Sequence, residues 1–220
     1  FAEARLHGAQ FIQVAHPYWS GAPYFKALGR DFFDPNFDLI EIANSEFDEE
    51  DQRAVEQVFA FWNEGKHYVA VAGSDAHHWQ DPTHIYGRPR TYVYVEGELT
   101  VEKWLAALGK GRAFATYGPL VDFTAQGGAA RPGDTVVLAR GEEIRLQAEL
   151  FVAPREAPRG LALAQVIKNG EVVRDFPLDG RAEATVTFAD APTPGSWYVV
   201  RVVATDGGQA YTNPIWVEVR

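Results

Sequence analysis

The stretch YVAVAGSDAH, residues 68–77, decides the expected fold of the first half of this 220-residue chain. Residues 68–72 are apolar or small and predict a short strand that is buried on both faces. Glycine and serine end this strand, so Asp75 and His77 come directly after it. Residues at i and i+2 of an extended backbone point to the same side, and a carboxylate with an imidazole can ligate a divalent metal. The alternative interpretation is a turn-capping aspartate beside a surface histidine.

Two earlier apolar segments end in the same way. Residues 11–15 predict a strand that stops at His16, and residues 37–42 predict another that stops near Asn44. His16 adds a second imidazole to the strand ends, and we expect it to join Asp75 and His77 as a metal ligand. A buried histidine that only packs among neighbouring aromatic residues is the alternative for His16.

Helical patterns alternate with these strands. Residues 48–64 have acidic residues in the first turn and one apolar stripe, which predicts a helix. A fourth strand is expected at 91–95, followed by a short helix that Thr100 caps. Repeated strand–loop–helix units with polar residues at the strand ends are typical of a (β/α) barrel, whose loops build the active site. Four strands alone cannot close such a barrel.

The second half of the chain has a different pattern. Alternating apolar residues predict strands at 144–151, 164–168, 184–188, 197–204 and 215–219. Asn169-Gly170 predicts a tight hairpin, because both residues tolerate a positive φ. This half contains no histidine, and we expect no catalytic cluster in it. The sequence therefore predicts an α/β region at 1–118 and a β-sandwich-like domain at 119–220.

Composition restricts the class of function. The chain has 20 Lys and Arg against 30 Asp and Glu, and its net charge of -10 repels polyanions, so we expect no nucleic-acid partner. It has no cysteine, so a metal would have to be held by histidine and carboxylate side chains. No apolar run approaches the roughly 18 residues that a membrane span requires. A small-molecule substrate is compatible with all three observations.

Four motifs in order resemble the C-terminal half of PHP-domain metallohydrolases, specifically their CehA/McbA-like branch. They are VAHPYW at 14–19, EIAN at 41–44, GSDAH at 73–77 and GRPRTYV at 87–93. GRAFATYGP at 111–119 and TNPI at 212–215 resemble the β-rich tail of that branch. The resemblance implies the C-terminal part of a distorted (β/α) PHP barrel followed by a β-sandwich-like domain.

The resemblance also implies a metal site. His16 matches the family's HisPro ligand, and Asp75 and His77 match its Asp-x-His pair in a multinuclear site for zinc, manganese or iron. The family's N-terminal ligand motifs have no counterpart in this sequence, which also lacks methionine. We therefore expect a fragment that is completed by a complementary N-terminal segment or by a homo-oligomer, or else a scaffold that has lost catalysis.

The predicted activity is hydrolysis by metal-activated water, with His16, Asp75 and His77 as the catalytic and metal-binding residues. Phosphoesters are the first expected substrate class, and carbamates, amides or esters are the alternative. A non-catalytic binding or assembly module is a third reading. The substrate-side candidates, for each of which a plain surface role is the alternative, are Glu41, Asn44, His78, His84 and, as an anion clamp, Arg90.

Overall fold

The computed structural model describes residues 1–21, 23–25, 33–45, 47–79, 85–152 and 160–220. Of these residues, 42% lie in strands and 17% in helices, so the protein is mostly β. A small parallel sheet occupies the first part of the chain, and mainly antiparallel sheets form a β-sandwich-like body in the rest. Among the described residues, no helix is both long enough and apolar enough to cross a membrane.

The parallel sheet has the order β1-β2-β3 and follows a short helix, α1 (Ala2–Leu6). Its strands are β1 (Gln13–Val14), β2 (Leu39–Asn44) and β3 (Val69–Gly73). Every residue of β2 except the last is buried, as expected for a strand that is covered on both faces. The predicted positions of these strands are confirmed, and their parallel direction brings their C-terminal ends to one edge.

Helix α2 (Glu49–Asn63) connects β2 to β3 and confirms the predicted helix. Its N-cap, Asp48, accepts hydrogen bonds from the backbone N–H of Glu50 at 2.7 Å and of Asp51 at 3.1 Å. These bonds satisfy donors that the first turn of a helix leaves open. The residues that α2 buries are Asp51, Ala54, Val55, Val58, Phe61 and Trp62.

Side chains, not a further parallel strand, close the outer edge of β3 within the described part of the chain. The Asn213 side chain accepts a hydrogen bond from the Ala70 N–H at 2.8 Å and donates to the Ala70 carbonyl oxygen at 2.9 Å. The Thr91 hydroxyl accepts from the Ala72 N–H at 2.8 Å and donates to the Ala72 carbonyl oxygen at 3.0 Å. These two side chains therefore satisfy the backbone groups that the next barrel strand would have paired.

The predicted fold class, part of a (β/α) barrel followed by a sandwich, is therefore wrong in its barrel part. The expected fourth barrel strand is β4 (Arg90–Val93), and it runs antiparallel to β5 (Ala113–Thr116). Between them lies helix α3 (Val101–Gly109), which Thr100 caps as predicted. Periodicity located these elements correctly, but it carries no information on which strand pairs with which, and both β4 and β5 belong to the large antiparallel sheet.

The sandwich consists of a large sheet and a smaller one. The large sheet has the order β10-β9-β12-β13-β5-β4, with β14 pairing with β12 and β7, and the smaller sheet has the order β11-β8-β6. The strands are β6 (Leu120–Ala125), β7 (Thr135–Leu138), β8 (Ile144–Phe151), β9 (Leu161–Lys168), β10 (Glu171–Arg181), β11 (Glu183–Asp190), β12 (Trp197–Ala204), β13 (Gln209–Thr212) and β14 (Ile215–Val219). Asn169 and Gly170 have φ values of 52° and 93° and join β9 to β10, which confirms the predicted hairpin.

The two sheets of the sandwich enclose one hydrophobic core. Another hydrophobic core joins the sandwich to the parallel sheet and α2. Trp197 of β12 has no exposed surface, and its indole N–H donates to the Asn63 side-chain oxygen at 2.9 Å. Its ring lies 5.2 Å, centroid to centroid, from those of Phe59 and Trp62 on α2. The predicted division at residue 118 stays a prediction, and the two regions on either side of it share this aromatic core.

Candidate metal and substrate site

The C-terminal ends of the parallel strands open into a cavity of about 570 Å³. His16 follows β1, Asn44 ends β2, and Asp75 and His77 follow β3. All four residues line the cavity. The structure therefore brings together the residues that the sequence predicted from separate strands, because parallel strands place their C-terminal ends side by side.

The backbone is unusual at two of the predicted ligands. His16 has a φ of 31° and Asp75 a φ of 50°, both in the left-handed region that side chains with a Cβ disfavour. Such conformations persist only where surrounding contacts hold them, and they are concentrated at functional sites. For His16 one such contact is visible, since its backbone N–H donates to the Glu41 carboxylate at 2.6 Å.

Glu41 is the buried carboxylate behind the cavity edge, with only 4% of its surface exposed. The carboxylate oxygen that accepts from His16 also accepts from the Asn44 side-chain amide at 3.0 Å. Burial raises the pKa of Glu41, while the hydrogen bonds from Asn44 and His16 lower it. A Cβ at position 73 would lie 2.5 Å from the other carboxylate oxygen, so glycine is required there for Glu41 to occupy this position.

The His16 imidazole has a buried nitrogen, Nδ1, to which no described residue makes a hydrogen bond. This nitrogen is shielded from solvent, and the ring packs edge-on against Trp19 with centroids 5.4 Å apart. A buried polar atom left unpaired costs about 1–3 kcal/mol, and a bound ion, a water or a catalytic role is among its explanations in native proteins.

Asp75 and His77 are more open to solvent, with side chains that are 36% and 68% exposed. The His77 Nδ1 lies 2.6 Å from the Asp75 backbone oxygen, and its Nε2 lies 3.7 Å from the Asp75 carboxylate. Within the described residues, no three His, Asp or Glu side chains come together as a group that could hold a metal ion. The predicted ligands thus share a cavity but do not form a closed ligand set.

Two of the remaining predicted substrate residues, His78 and Arg90, are not among the residues that line the cavity. His78 is exposed and does not line the cavity, and His84 lies outside the described residues. The Arg90 guanidinium donates to the Gly87 carbonyl oxygen at 2.9 Å. Because Thr91 points toward β3, its neighbour Arg90 faces the other side of β4. The structure does not bring Arg90 to the cavity mouth as an anion clamp.

Sequence reasoning missed Asp51, which lines the cavity, and Tyr117, which contacts the Asp51 carboxylate. Asp51 lines the cavity, is 7% exposed, and its carboxylate lies 2.8 Å from the Tyr117 hydroxyl. Burial raises the pKa of Asp51 to about 8, the Tyr117 hydrogen bond opposes this shift, and the charge of Asp48 adds to it. The available signal was helical phase, since Asp51 lies on the same apolar stripe as Val55 and Val58.

The charge of the cavity is one-sided. Among its described lining residues there is no Lys or Arg, whereas Asp48, Glu50 and Asp75 contribute carboxylates and Asp51 contributes a carboxyl group with a raised pKa. Tyr18 and Trp19 provide an aromatic wall. Such a lining attracts cations and repels free anions.

Comparisons with known proteins give weak similarities. No family model and no curated protein matches the chain. Among solved structures, fibronectin(III)-like modules of Clostridium thermocellum CbhA are 14% identical, covering 46% of this chain and 98% of that one with a TM-score of 0.31. The CARDB domain of a Pyrococcus furiosus protein is 12% identical, covering 46% and 96% with a TM-score of 0.31. A Jonesia denitrificans lytic polysaccharide monooxygenase is 15% identical, covering 74% and 93%, also with a TM-score of 0.31. At these TM-scores the similarities assign neither a fold nor a function to this chain.

Proposed function

We propose that this cavity binds divalent metal ions through His16, Asp75 and His77 and that the chain is a metal-dependent hydrolase. The observation that carries the proposal is that these three residues, from two different strand ends, line one cavity. The resemblance of the motifs around them to those of PHP-domain metallohydrolases supports the same ligand assignment.

The donor types of the lining suit such an ion, although the described side chains would have to move closer together to form a complete ligand set. His16 offers an imidazole nitrogen, and Asp75 with His77 adds oxygen and nitrogen donors. This donor set suits zinc, manganese or iron. More than one ion is expected, with further ligands from water and from a complementary N-terminal segment or a second copy of the chain.

A divalent ion bound there would lower the pKa of a coordinated water and stabilise negative charge on the attacked centre. The chain's own residues orient the site. Glu41 holds the His16 backbone and the Asn44 amide together, so that Asn44 is directed by a buried contact. Trp19 packs against the His16 ring and limits its rotation. Tyr18 and Trp19 offer an apolar surface to a small-molecule substrate.

The two candidate substrate classes differ in their charge. Phosphoesters are our first proposal, but the described lining offers them no Lys or Arg, so their binding would depend on the metal's charge. Carbamates, amides or esters are the second proposal, and the acidic lining favours them because they carry no negative charge to be repelled. Inorganic phosphate should therefore bind to the cavity only when metal is present.

The test is metal binding by the full chain, loaded with manganese or zinc, dialysed, and measured by elemental mass spectrometry and calorimetry. We expect His16→Ala, Asp75→Asn and His77→Ala each to weaken binding by at least about tenfold, since each removes a donor. His7→Ala is the matched control, because His7 is exposed and does not line the cavity. Turnover is then compared between 4-nitrophenyl phosphate and 4-nitrophenyl acetate.

The alternatives give different results. A chain that binds no metal, or whose metal content is unchanged in Asp75→Asn, contradicts the ligand assignment. Metal binding without turnover of either substrate would instead favour the non-catalytic binding module. Turnover of 4-nitrophenyl acetate alone would make carbamates, amides or esters the first proposed substrate class and phosphoesters the second.

A further inference from the structure

Asp51 and Tyr117 connect the floor of the cavity to the sandwich. Asp51 lies in the first turn of α2, and Tyr117 follows β5 of the large sheet, where its N–H donates to the Gln209 carbonyl oxygen at 2.8 Å. Both side chains are buried, with exposures of 7% and 5%. Asn44 completes the contact, since its N–H donates to the Asp51 carboxylate at 3.1 Å.

Counting protons in this group favours the neutral form of Asp51 over the ionised form. The Tyr117 hydroxyl oxygen lies 2.8 Å from an Asp51 carboxylate oxygen and 3.2 Å from the Asn44 carbonyl oxygen. A phenol has one proton, and both a carboxylate and a carbonyl oxygen only accept. If Asp51 is ionised, one of the two contacts lacks a proton. If Asp51 is a neutral acid, it donates to Tyr117, Tyr117 donates to Asn44, and both contacts become hydrogen bonds.

The surrounding charges agree with the neutral state. In the described part of the chain no cation pairs with Asp51; the ionisable groups that face it are Asp48 and Tyr117, and burial is the main cause of its raised pKa. Beyond Asn44 lie Glu41, joined to the Asn44 amide, and the His16 backbone, joined to Glu41. The hydrogen-bonded chain thus runs from the sandwich to the first proposed metal ligand.

We propose that Asp51 is kept as a neutral carboxylic acid that, with Tyr117, fixes the strand end bearing Asn44 beneath the cavity, so that both are positioning residues for ligand binding. The Asn44 backbone is then held from two sides, with its N–H bonded to Asp51 and its carbonyl oxygen to Tyr117. The protonation state of Asp51 is independent of the proposed function, whereas the consequence for metal binding rests on it. The experiments test the two separately.

The first experiment measures protonation directly by carboxyl ¹³C NMR of the full chain over a pH titration. The Asp51 signal is assigned by its disappearance in Asp51→Asn, and we expect its midpoint near pH 8. A midpoint below about pH 5, in the range of ordinary carboxylates, would overturn the proposal. This readout needs neither metal nor substrate.

The second experiment measures positioning through the manganese dissociation constant at pH 7. Tyr117→Phe is expected to weaken binding about tenfold, and Tyr198→Phe, which removes a buried hydroxyl within the sandwich, leaves it unchanged. Asp51→Asn should bind at least about tenfold more tightly than Asp51→Ala, because an amide also donates to Tyr117.

These outcomes separate a positioning role from the alternatives. Equal losses in Asp51→Asn and Asp51→Ala would mean that the ionised carboxylate itself is needed, and would overturn the proposal. Equal effects of Tyr117→Phe and Tyr198→Phe would reduce Tyr117 to a general stability role, which also overturns it. If the wild-type chain binds no manganese, the proposed function fails, and the ¹³C titration alone decides the protonation of Asp51.

Discussion

The cavity region and the sandwich each contain a tyrosine–aspartate pair, and the two pairs differ in charge. At the cavity, burial raises the pKa of Asp51 to about 8. In the sandwich, burial also raises the pKa of Asp190, but hydrogen bonds from Lys168 and Tyr198 and the charge of Lys168 outweigh burial and lower it. The ammonium of Lys168 lies 2.7 Å from the Asp190 carboxylate.

The opposite pKa shifts of the two aspartates correspond to different roles of the two regions. In the sandwich, the partly buried carboxylate of Asp190 is compensated by a cation, which leaves a satisfied ion pair that serves stability. At the cavity no described cation compensates Asp51, so its proton becomes part of the structure. A carboxyl group whose pKa is strongly raised beside a cavity is typical of a binding site, whereas a carboxylate paired with a lysine within a sheet is typical of a scaffold.

The largest expected effect tests whether the two regions are independent. Trp197→Ala should lower the free energy of unfolding by about 4 kcal/mol, because it leaves a large void in a core that both regions share. Since Trp197 contacts α2 and the sandwich alike, a single urea transition should shift for both regions, as followed by near-UV circular dichroism and by amide exchange in β2.

Trp79→Ala is the control for Trp197→Ala, because Trp79 is 80% exposed and its loss should change the stability by less than about 0.5 kcal/mol. Two separate transitions, with only the sandwich affected by Trp197→Ala, would contradict a shared core. That result would instead support two folding units divided near residue 118.

The next effect concerns the edge of β3, where the Asn213 side chain bonds to the backbone of Ala70 and joins the two regions. Asn213→Ala should cost about 3 kcal/mol, since it leaves the N–H and carbonyl groups of Ala70 without their partner, whereas the carbonyl of Ala113 keeps its hydrogen bond from the backbone N–H of residue 213. Amide exchange at Ala70 should accelerate more than at other positions of β3. Asn36→Ala is the control, because Asn36 is exposed. Unchanged protection of Ala70 would show that another group closes this edge.

The edge of β3 also shows which part of the fold the sequence could predict and which part it could not. Hydrophobic periodicity located β1, β2 and β3 and, in the sandwich, β8, β9, β11, β12 and β14, because each burial pattern is local. It placed β4 in a barrel, because the same local pattern suits a parallel or an antiparallel neighbour. What excludes the barrel strand is the pair of side chains from Asn213 and Thr91 on the edge of β3, and such long-range contacts leave no periodic signal.

The site was predictable to a similar extent. Strand ends identified His16, Asn44, Asp75 and His77, and parallel topology is sufficient to gather them at one edge. Asp51 was counted among the acidic residues of the first helical turn. Its position on the apolar stripe of α2, together with Val55 and Val58, indicates that it is buried. Tyr117 contacts Asp51 from a segment far along the chain, so no local pattern pointed to this contact.

The smallest expected effect tests the contrast between the two aspartates. Asp190→Asn should cost about 1 kcal/mol at pH 7, because it removes a partly buried charge from Lys168 and keeps most of the packing. The lowered pKa of Asp190 means that its carboxylate stabilises the fold above its unfolded value of 3.8 and that this contribution is lost as the pH falls through the folded value. The free energies of unfolding of wild type and Asp190→Asn in urea should therefore converge in acid.

The stability difference between wild type and Asp51→Asn should depend on pH in the opposite way. The raised pKa of Asp51 favours the wild-type fold at low pH, and this advantage is lost as the pH rises from the unfolded value of 3.8 toward 8. If both variants lost stability with the same pH profile, burial alone would govern the two pairs, and the compensating role of Lys168 would have to be abandoned.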